Sequence, residues 1–134
     1  MPAFPAEIIH VSIDRDWQAV YAYAARPESM PEWATGLSAT MRREGDDYLA
    51  DGGPIGTIRI RFTPENPYGI LDHTVTLESG VSVYNALRVQ KNGDGAEVLF
   101  TLLKLDGMDD EAFSRDAAHV RADLNRLKAI LESR

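Results

Sequence analysis

The sequence predicts an α+β fold in which a curved antiparallel sheet of seven strands lies against one long C-terminal helix. Near the C-terminus, apolar residues recur every three or four positions, which is the spacing of one helix face. Over much of the preceding chain, apolar and polar residues alternate in short segments separated by turn residues, which is the pattern of half-buried strands. Two short helical patterns follow the first strand, so the predicted order is strand, two helices, six strands and the long helix.

The long helix is predicted over residues 109–133. Its apolar stripe comprises Phe113, Ala117, Val120, Leu124, Leu127 and Leu131. Asp109 or Asp110 can cap the first turn, whereas Arg121 and Asp123 lie between the apolar positions and are expected to face water. A helix of about 24 residues at ~1.5 Å per residue is roughly 35 Å long. It crosses a whole small domain, and its stripe must cover something apolar.

The first strand and the helix after it are predicted near the N-terminus. Residues 7–13 read as a strand in which Ile9, Val11 and Ile13 share one face. Asp14 is expected to cap the following helix, because it directly precedes the helical pattern.

The second helix is predicted to be short. Ser29 followed three residues later by Glu32 is typical of a capping box, and Gly36 is expected to end the helix. Met30 and Trp33 are its predicted buried residues.

The remaining strands form a meander. They are predicted around residues 37–42, 48–49, 57–62, 71–77, 81–89 and 96–105. A strongly curved sheet of this kind, wrapped around a helix, has few residues available to fill its middle, so a cavity is expected between its concave face and the helix.

The hairpin formed by residues 71–77 and 81–89 can be registered from the sequence. A three-residue turn places apolar residues opposite apolar residues and His73 opposite Asn85, whereas a two-residue turn mixes the faces. Because a slip of one residue inverts every side chain, we expect the three-residue turn. His73 then points into the cavity, and Asp72 points to the other face, so the two cannot form an Asp–His pair.

Length, composition and charge limit the function classes. The 134 residues, 44% of them apolar, predict one domain over residues 1–134. The net charge of −7 disfavours a nucleic acid or an anionic membrane as partner. The chain has no cysteine, and its N-terminus shows no basic or apolar leader, which favours a cytoplasmic protein.

No sequence motif indicates a metal or a cofactor. The three histidines, His10, His73 and His119, are scattered and lack metal-ligand spacing. Glycine-rich nucleotide-binding motifs and the G-x-S-x-G nucleophile motif are also absent from the sequence. We therefore predict neither a metal nor a cofactor.

The order of elements and four segments resemble a known family. The segments are the opening strand with Asp14-x-x-Trp17, Pro27-Glu28-x-x-Pro31-Glu32-Trp33, Gly69-Ile70-Leu71-Asp72-His73, and Asp123-Leu124-x-x-Leu127-Lys128. Along essentially its whole length the chain resembles the Bet v 1-like, START-related helix-grip superfamily (SRPBCC), and in particular its short bacterial polyketide cyclase/dehydratase-like members. The resemblance implies a cavity for hydrophobic ligands. It implies no shared catalytic residues, because only some members are enzymes.

Several residues are candidates for the site. His73 can act as a general base or orient a ligand oxygen, with Asn85 as its partner; it can also be a core histidine with satisfied nitrogens. The candidates expected to line the cavity are the aromatic residues and one helix residue, Trp33, Tyr48, Phe62, Phe100 and Leu124, and core packing explains the aromatic ones as well. Arg59, Arg61 and Arg88 are expected on the solvated outer face.

Three function classes follow from these candidates. The first is binding of a small hydrophobic, aromatic or polyketide-like molecule. The second is a cyclase- or dehydratase-type enzyme that uses His73 as acid or base. The third is a protein-interaction module with a filled cavity. A separate expectation concerns Leu99, Leu103 and Leu105, which share the outer face with Tyr84 and predict a homodimer through that region.

Overall fold

The computed structural model describes residues 2–34 and 41–134. In this part of the chain seven strands form one antiparallel sheet in the order β1-β7-β6-β5-β4-β3-β2. The strands are β1 (Ala6–Ile13), β2 (Met41–Glu44), β3 (Asp47–Asp51), β4 (Thr57–Phe62), β5 (His73–Thr76), β6 (Ser82–Asn92) and β7 (Gly95–Leu103). The helices are α1 (Trp17–Ala24), α2 (Met30–Trp33) and α3 (Asp110–Glu132). The predicted α+β, helix-grip-like architecture is confirmed.

The first strand lies beside the last one. Ile9 of β1 is paired with Phe100 of β7, and Val11 with Val98. Ile9 is buried, whereas Ile8, which points the other way, is half exposed. The first strand, β1, is therefore an edge strand of the sheet, and its partner is the last strand, β7.

The long helix α3 covers the concave face of the sheet. Its buried residues are Ala117, Leu124, Leu127 and Leu131, which confirms the predicted stripe, and Phe113 and Val120 are partly buried at its margins. The Asp109 carboxylate accepts a hydrogen bond from the Ala112 N–H, so Asp109 is the cap. The prediction that Asp123 faces water is wrong, because its side chain is only 13% exposed.

The predicted cap of α1 is also wrong. The cap is Asp16, whose carboxylate accepts hydrogen bonds from the backbone N–H groups of Gln18 and Ala19. Asp14 lies too early, since the helix begins at Trp17. Its backbone N–H donates instead to the Glu132 carboxylate at 2.9 Å, which ties this corner to the end of α3.

The capping box expected before α2 does not form. Ser29 belongs to a preceding 3-10 turn, Pro27–Ser29. Its hydroxyl donates to the Arg26 carbonyl, and it accepts no capping hydrogen bond from a described backbone N–H of α2. Met30 and Trp33 are buried, as predicted. The helix end expected at Gly36 and the strand residues expected at 37–40 lie outside the described residues.

The leucines on the outer face of the sheet are less exposed than predicted. Leu99, Leu103 and Leu105 are each partly buried. Near Leu105 the N-terminal segment runs alongside the chain, and the Lys104 N–H donates to the Pro5 carbonyl at 2.8 Å. A homodimer through this face stays a prediction.

Within residues 2–34 and 41–134, no helix combines the length and the apolarity needed to cross a membrane.

Candidate functional site

The hairpin of β5 and β6 sets the direction of the central side chains. His73 is paired with Asn85 and Val75 with Val83. The Leu77 N–H donates to the Val81 carbonyl at 2.9 Å, which closes the three-residue turn. The predicted register is therefore confirmed, and His73 and Asn85 face the side of the sheet that α3 covers.

Two adjacent cavities lie on this side of the sheet. The helix-side cavity, of about 200 Å³, has walls that include Trp33, Asn85, Phe100, Val120 and Leu124. The loop-side cavity, of about 180 Å³, has walls that include Tyr21, Arg26, Phe62, Thr63 and Glu65. Among the described residues, Met30 and His73 line both cavities. The wall between the two cavities is therefore made in part by these two side chains.

The structure brings most of the sequence-predicted site residues together. His73, Asn85, Trp33, Phe100 and Leu124 all line the helix-side cavity.

The other two aromatic candidates lie beside that group. Phe62 lines the loop-side cavity, and its ring centroid is 5.7 Å from that of His73. Tyr48 is not among the described residues that line either cavity, and its ring packs edge-on against Phe62 at 5.6 Å. Tyr48 therefore supports the wall rather than forming it.

The hydrogen bonds of His73 define its tautomer. Its Nδ1 lies 3.1 Å from the Leu71 carbonyl oxygen. Because a carbonyl only accepts, Nδ1 is assigned the proton and Nε2 presents a lone pair. The amide nitrogen of Asn85 is 3.5 Å from Nε2, at the outer limit of a hydrogen bond. Nε2 is thus the less firmly engaged of the two ring nitrogens.

His73 is neutral at pH 7. Only 6% of the residue is exposed, and burial lowers its pKa from the ordinary value of 6.5. The contact with the Leu71 carbonyl and the charge of Asp72 act in the opposite direction without reversing the shift. The imidazole can therefore accept a proton or a hydrogen bond inside an apolar chamber.

Asp72 lies on the opposite face and is almost completely buried, with 1% of its surface exposed. Its carboxylate accepts hydrogen bonds from the Leu87 N–H at 2.9 Å, the Tyr84 hydroxyl at 2.5 Å and the Arg88 guanidinium at 2.9 and 3.2 Å. Burial alone raises the pKa of Asp72, but these hydrogen bonds from Arg88, Tyr84 and Leu87 outweigh it, so the pKa lies below its ordinary value.

The Asp72 cluster corrects the reading of Arg88 as a merely solvated residue. The predicted register of the hairpin already indicated this cluster. If His73 lies opposite Asn85, Tyr84 and Arg88 become neighbours of Asp72 on the outer face. Arg59 and Arg61 are likewise not simply solvated, because both bind the Asp47 carboxylate.

Sequence reasoning missed two residues of the site. Asp123 lines the helix-side cavity, and its carboxylate lies 3.6 Å from the His119 ring and 3.7 Å from the Arg126 guanidinium. Nothing in the residue type of Asp123 indicated that it lines a cavity. Met30 was recognised as buried, but nothing in the sequence indicated that it separates two cavities.

One wall of the helix-side cavity carries a buried donor. The indole N–H of Trp33 is inaccessible to water and has no hydrogen-bond partner among the described residues. An unpaired buried N–H is costly. Trp33 also lines the cavity that His73 faces, so two polar atoms of this region have spare hydrogen-bonding capacity.

Comparison with known proteins extends the description of the fold. No protein-family model matches the chain, and the search of curated proteins finds no match. Solved structures do match. The structure of DynU16, a protein of the dynemicin biosynthetic locus, superposes with a TM-score of 0.72 and 17% identity over 95% of this chain and 47% of DynU16. The chain thus spans about half the length of DynU16.

Two further structures are similar over most of this chain. CalU16 from Micromonospora echinospora gives a TM-score of 0.67 and 16% identity over 94% of this chain and 73% of CalU16. The Aha1 dimer from Colwellia psychrerythraea gives a TM-score of 0.70 and 13% identity over 96% of each chain. At these identities the similarity shows the fold: an antiparallel sheet, two short helices after the first strand, and a long C-terminal helix.

Proposed function

We propose that this protein binds a small hydrophobic molecule, of aromatic or polyketide-like character, in the helix-side cavity, and that His73 is its polar anchor. The observation that carries the proposal is the buried, neutral imidazole of His73. Its Nδ1 is held by a backbone carbonyl, while its Nε2 has a described partner only at 3.5 Å.

The size of the cavity supports a ring-sized ligand. A cavity of roughly 150 Å³ lined by apolar side chains accommodates benzene, so about 200 Å³ is room for one or two fused rings. Phe100, Val120 and Leu124 supply apolar walls on two sides. Each such contact surface favours transfer of an apolar ring out of water.

The polar groups determine which ring-sized molecules are favoured. Nε2 of His73 accepts a hydrogen bond from a hydroxyl group, and the side-chain amide of Asn85 can both donate and accept. A phenol or an enol therefore gives Nε2 a stronger hydrogen bond than its 3.5 Å contact with Asn85 does. The place of DynU16 in the dynemicin biosynthetic locus supports a polyketide-related ligand.

An enzyme of the cyclase or dehydratase type is the second candidate. The lowered pKa of His73 favours it, because a neutral imidazole next to a bound hydroxyl or carbonyl can remove a proton. The interaction-module hypothesis is less well supported, since a cavity of about 200 Å³ remains between sheet and helix.

The test compares two probes that differ by a single hydroxyl group. Naphthol and naphthalene are titrated against the wild-type protein, His73→Leu and His10→Leu, with binding followed by NMR. His10 is the matched control because its side chain is 61% exposed on the outer face. We expect His73→Leu to weaken naphthol binding about tenfold, which corresponds to ~1.4 kcal/mol, while naphthalene binding falls little.

The outcomes separate the parts of the proposal. Equal loss for both probes, or no loss for either, contradicts the anchoring role of His73. Failure of the wild-type protein to bind either probe contradicts ligand binding itself. Native mass spectrometry of the purified protein adds an independent readout. A co-purified molecule that is converted by the wild type, and not by His73→Leu, favours the enzyme.

A further inference from the structure

We propose that the two cavities are the halves of one site for an elongated ligand, and that the Met30 side chain is the gate between them. This inference rests on the proposed binding function and deepens it. Met30 and His73 are the described residues common to both walls. Met30 is also buried, with 6% of its surface exposed.

Of the two shared side chains, Met30 is the one able to move. His73 belongs to β5, its Nδ1 is bound to the Leu71 carbonyl at 3.1 Å, and its ring packs beside Phe62. Met30 is unbranched and has three rotatable side-chain bonds, so it adapts to irregular space at small cost. It is also the first residue of a helix of four residues, directly after a 3-10 turn.

The two cavities differ in chemistry in a way that orients a long ligand. Most residues that bound the helix-side cavity are apolar, Phe100 and Leu124 among them, and its polar wall residues are His73, Asn85 and Asp123. The loop-side cavity is bounded by Arg26, Thr63 and Glu65, which are exposed and bring it to the protein surface. A ligand that spans both would place its apolar end beneath α3 and its polar end between these surface residues.

The volumes fit such a ligand. The cavities measure about 200 and 180 Å³, and each alone lies below the ~300–1,000 Å³ typical of sites for drug-sized molecules. Displacement of Met30 joins two spaces of similar size and brings the site into that range. His73 then lies at the middle of the ligand rather than at its end, so the hydroxyl group it anchors belongs to an inner ring.

The test uses a short and a long probe of the same chemical type. Naphthol fits the helix-side cavity alone, and dihydroxyanthraquinone, with three fused rings, needs both. Affinities are measured for wild type, Met30→Ala and Met30→Phe. We expect the ratio of the two affinities to shift toward the long probe in Met30→Ala and away from it in Met30→Phe, by about tenfold each way. Met108→Ala is the matched control, because Met108 lies in the turn before α3 and lines neither cavity.

A second measurement follows the gate directly and does not depend on variants. The methyl resonance of Met30 should move when the long probe binds and much less when naphthol binds, while the Met108 methyl stays in place. If Met30→Phe does not fold, Met30→Ala and this methyl signal decide.

The gate and the proposed function fail in different ways. If naphthol binds, but the affinity ratio is the same in wild type and in the Met30 variants and the Met30 methyl responds equally to both probes, the gate is contradicted and ligand binding stands. If neither probe binds the wild-type protein, the binding function falls and the gate falls with it.

Discussion

Asp72 and His73 are consecutive residues, and both are buried. Their side chains point to opposite faces of the sheet and differ in how completely their polar atoms are hydrogen-bonded. The carboxylate of Asp72 accepts hydrogen bonds from a backbone N–H, a tyrosine hydroxyl and a guanidinium. The imidazole of His73 has one firm hydrogen bond and one at the limiting distance of 3.5 Å. On the outer face of the sheet the polar group is fully satisfied, whereas on the inner face it is not.

This difference separates a structural group from a site candidate. The pKa of both residues is lowered, but Asp72 is held ionised by its donors and His73 is kept neutral by burial. A buried charge with all its partners fixes the strands it joins. A buried neutral group with spare capacity can engage a ligand without first breaking a strong bond.

The largest effect is expected when a carboxylate is buried without prepared donors. Leu124 is 2% exposed on the inner face, so Leu124→Asp should lower the free energy of unfolding by more than ~3 kcal/mol. Arg121→Asp, three residues earlier on an exposed position, should cost little. Chemical denaturation measures the free energy of unfolding of both variants. Similar losses in the two variants would contradict the premise that a buried carboxylate needs hydrogen-bond donors.

A smaller loss is expected when the donors keep their places and the carboxylate is removed. In Asp72→Ala the buried N–H of Leu87 loses its acceptor, which should cost about 2–3 kcal/mol. Asp47→Ala is the matched control, because Asp47 is also a buried carboxylate, but its described side-chain partners are the exposed guanidinium groups of Arg59 and Arg61 and not a buried backbone N–H. A greater loss for Asp47→Ala would reverse the ranking of the two carboxylates.

The smallest effect is in the pH dependence of stability. The folded protein keeps the pKa of His73 below 6.5, so on acidification the unfolded chain binds this proton first. Stability should therefore fall as the pH drops below about 6.5, by at most ~1.4 kcal/mol per pH unit from this residue.

Substitution of His73 tests this effect. His73→Leu should lose the part of the pH dependence of stability that His73 contributes, and the control His10→Leu should keep it. The lowered pKa of Asp72 acts only in more acidic solution, near and below its ordinary value of 3.8. The difference between the slopes of wild type and His73→Leu from about pH 7 to about pH 5 measures the contribution of His73, and identical slopes would contradict its buried, neutral state.

The sequence predicted the parts of the molecule that depend on periodicity. Alternation and turn length were enough to pair His73 with Asn85, because a one-residue slip exposes every apolar side chain of the strand. The stripe of α3 followed from its spacing for the same reason. The cap of α1 was misplaced because Asp14 and Asp16 carry the same chemistry, and only the backbone turn distinguishes them.

The remaining features depend on distant contacts. Asp123 lines a cavity although its residue type favours water, because the helix brings it to the edge of the apolar face. Met30 separates two cavities whose walls come from α1, α2, the sheet and α3. A cavity has no sequence pattern of its own, so neither the volume of the two cavities nor their separation by Met30 could be predicted from the sequence.

The pairing of β1 with β7 has a consequence for the order of folding. Ile9 must find Phe100 across most of the chain, and contacts between such distant residues make folding slow. The helix-side cavity also needs α3, which follows all seven strands. If the protein binds a ligand as proposed, capture of that ligand during synthesis on the ribosome must wait until this last helix has docked. A ligand present at that moment would stabilise the newly closed chain in proportion to its concentration relative to its dissociation constant.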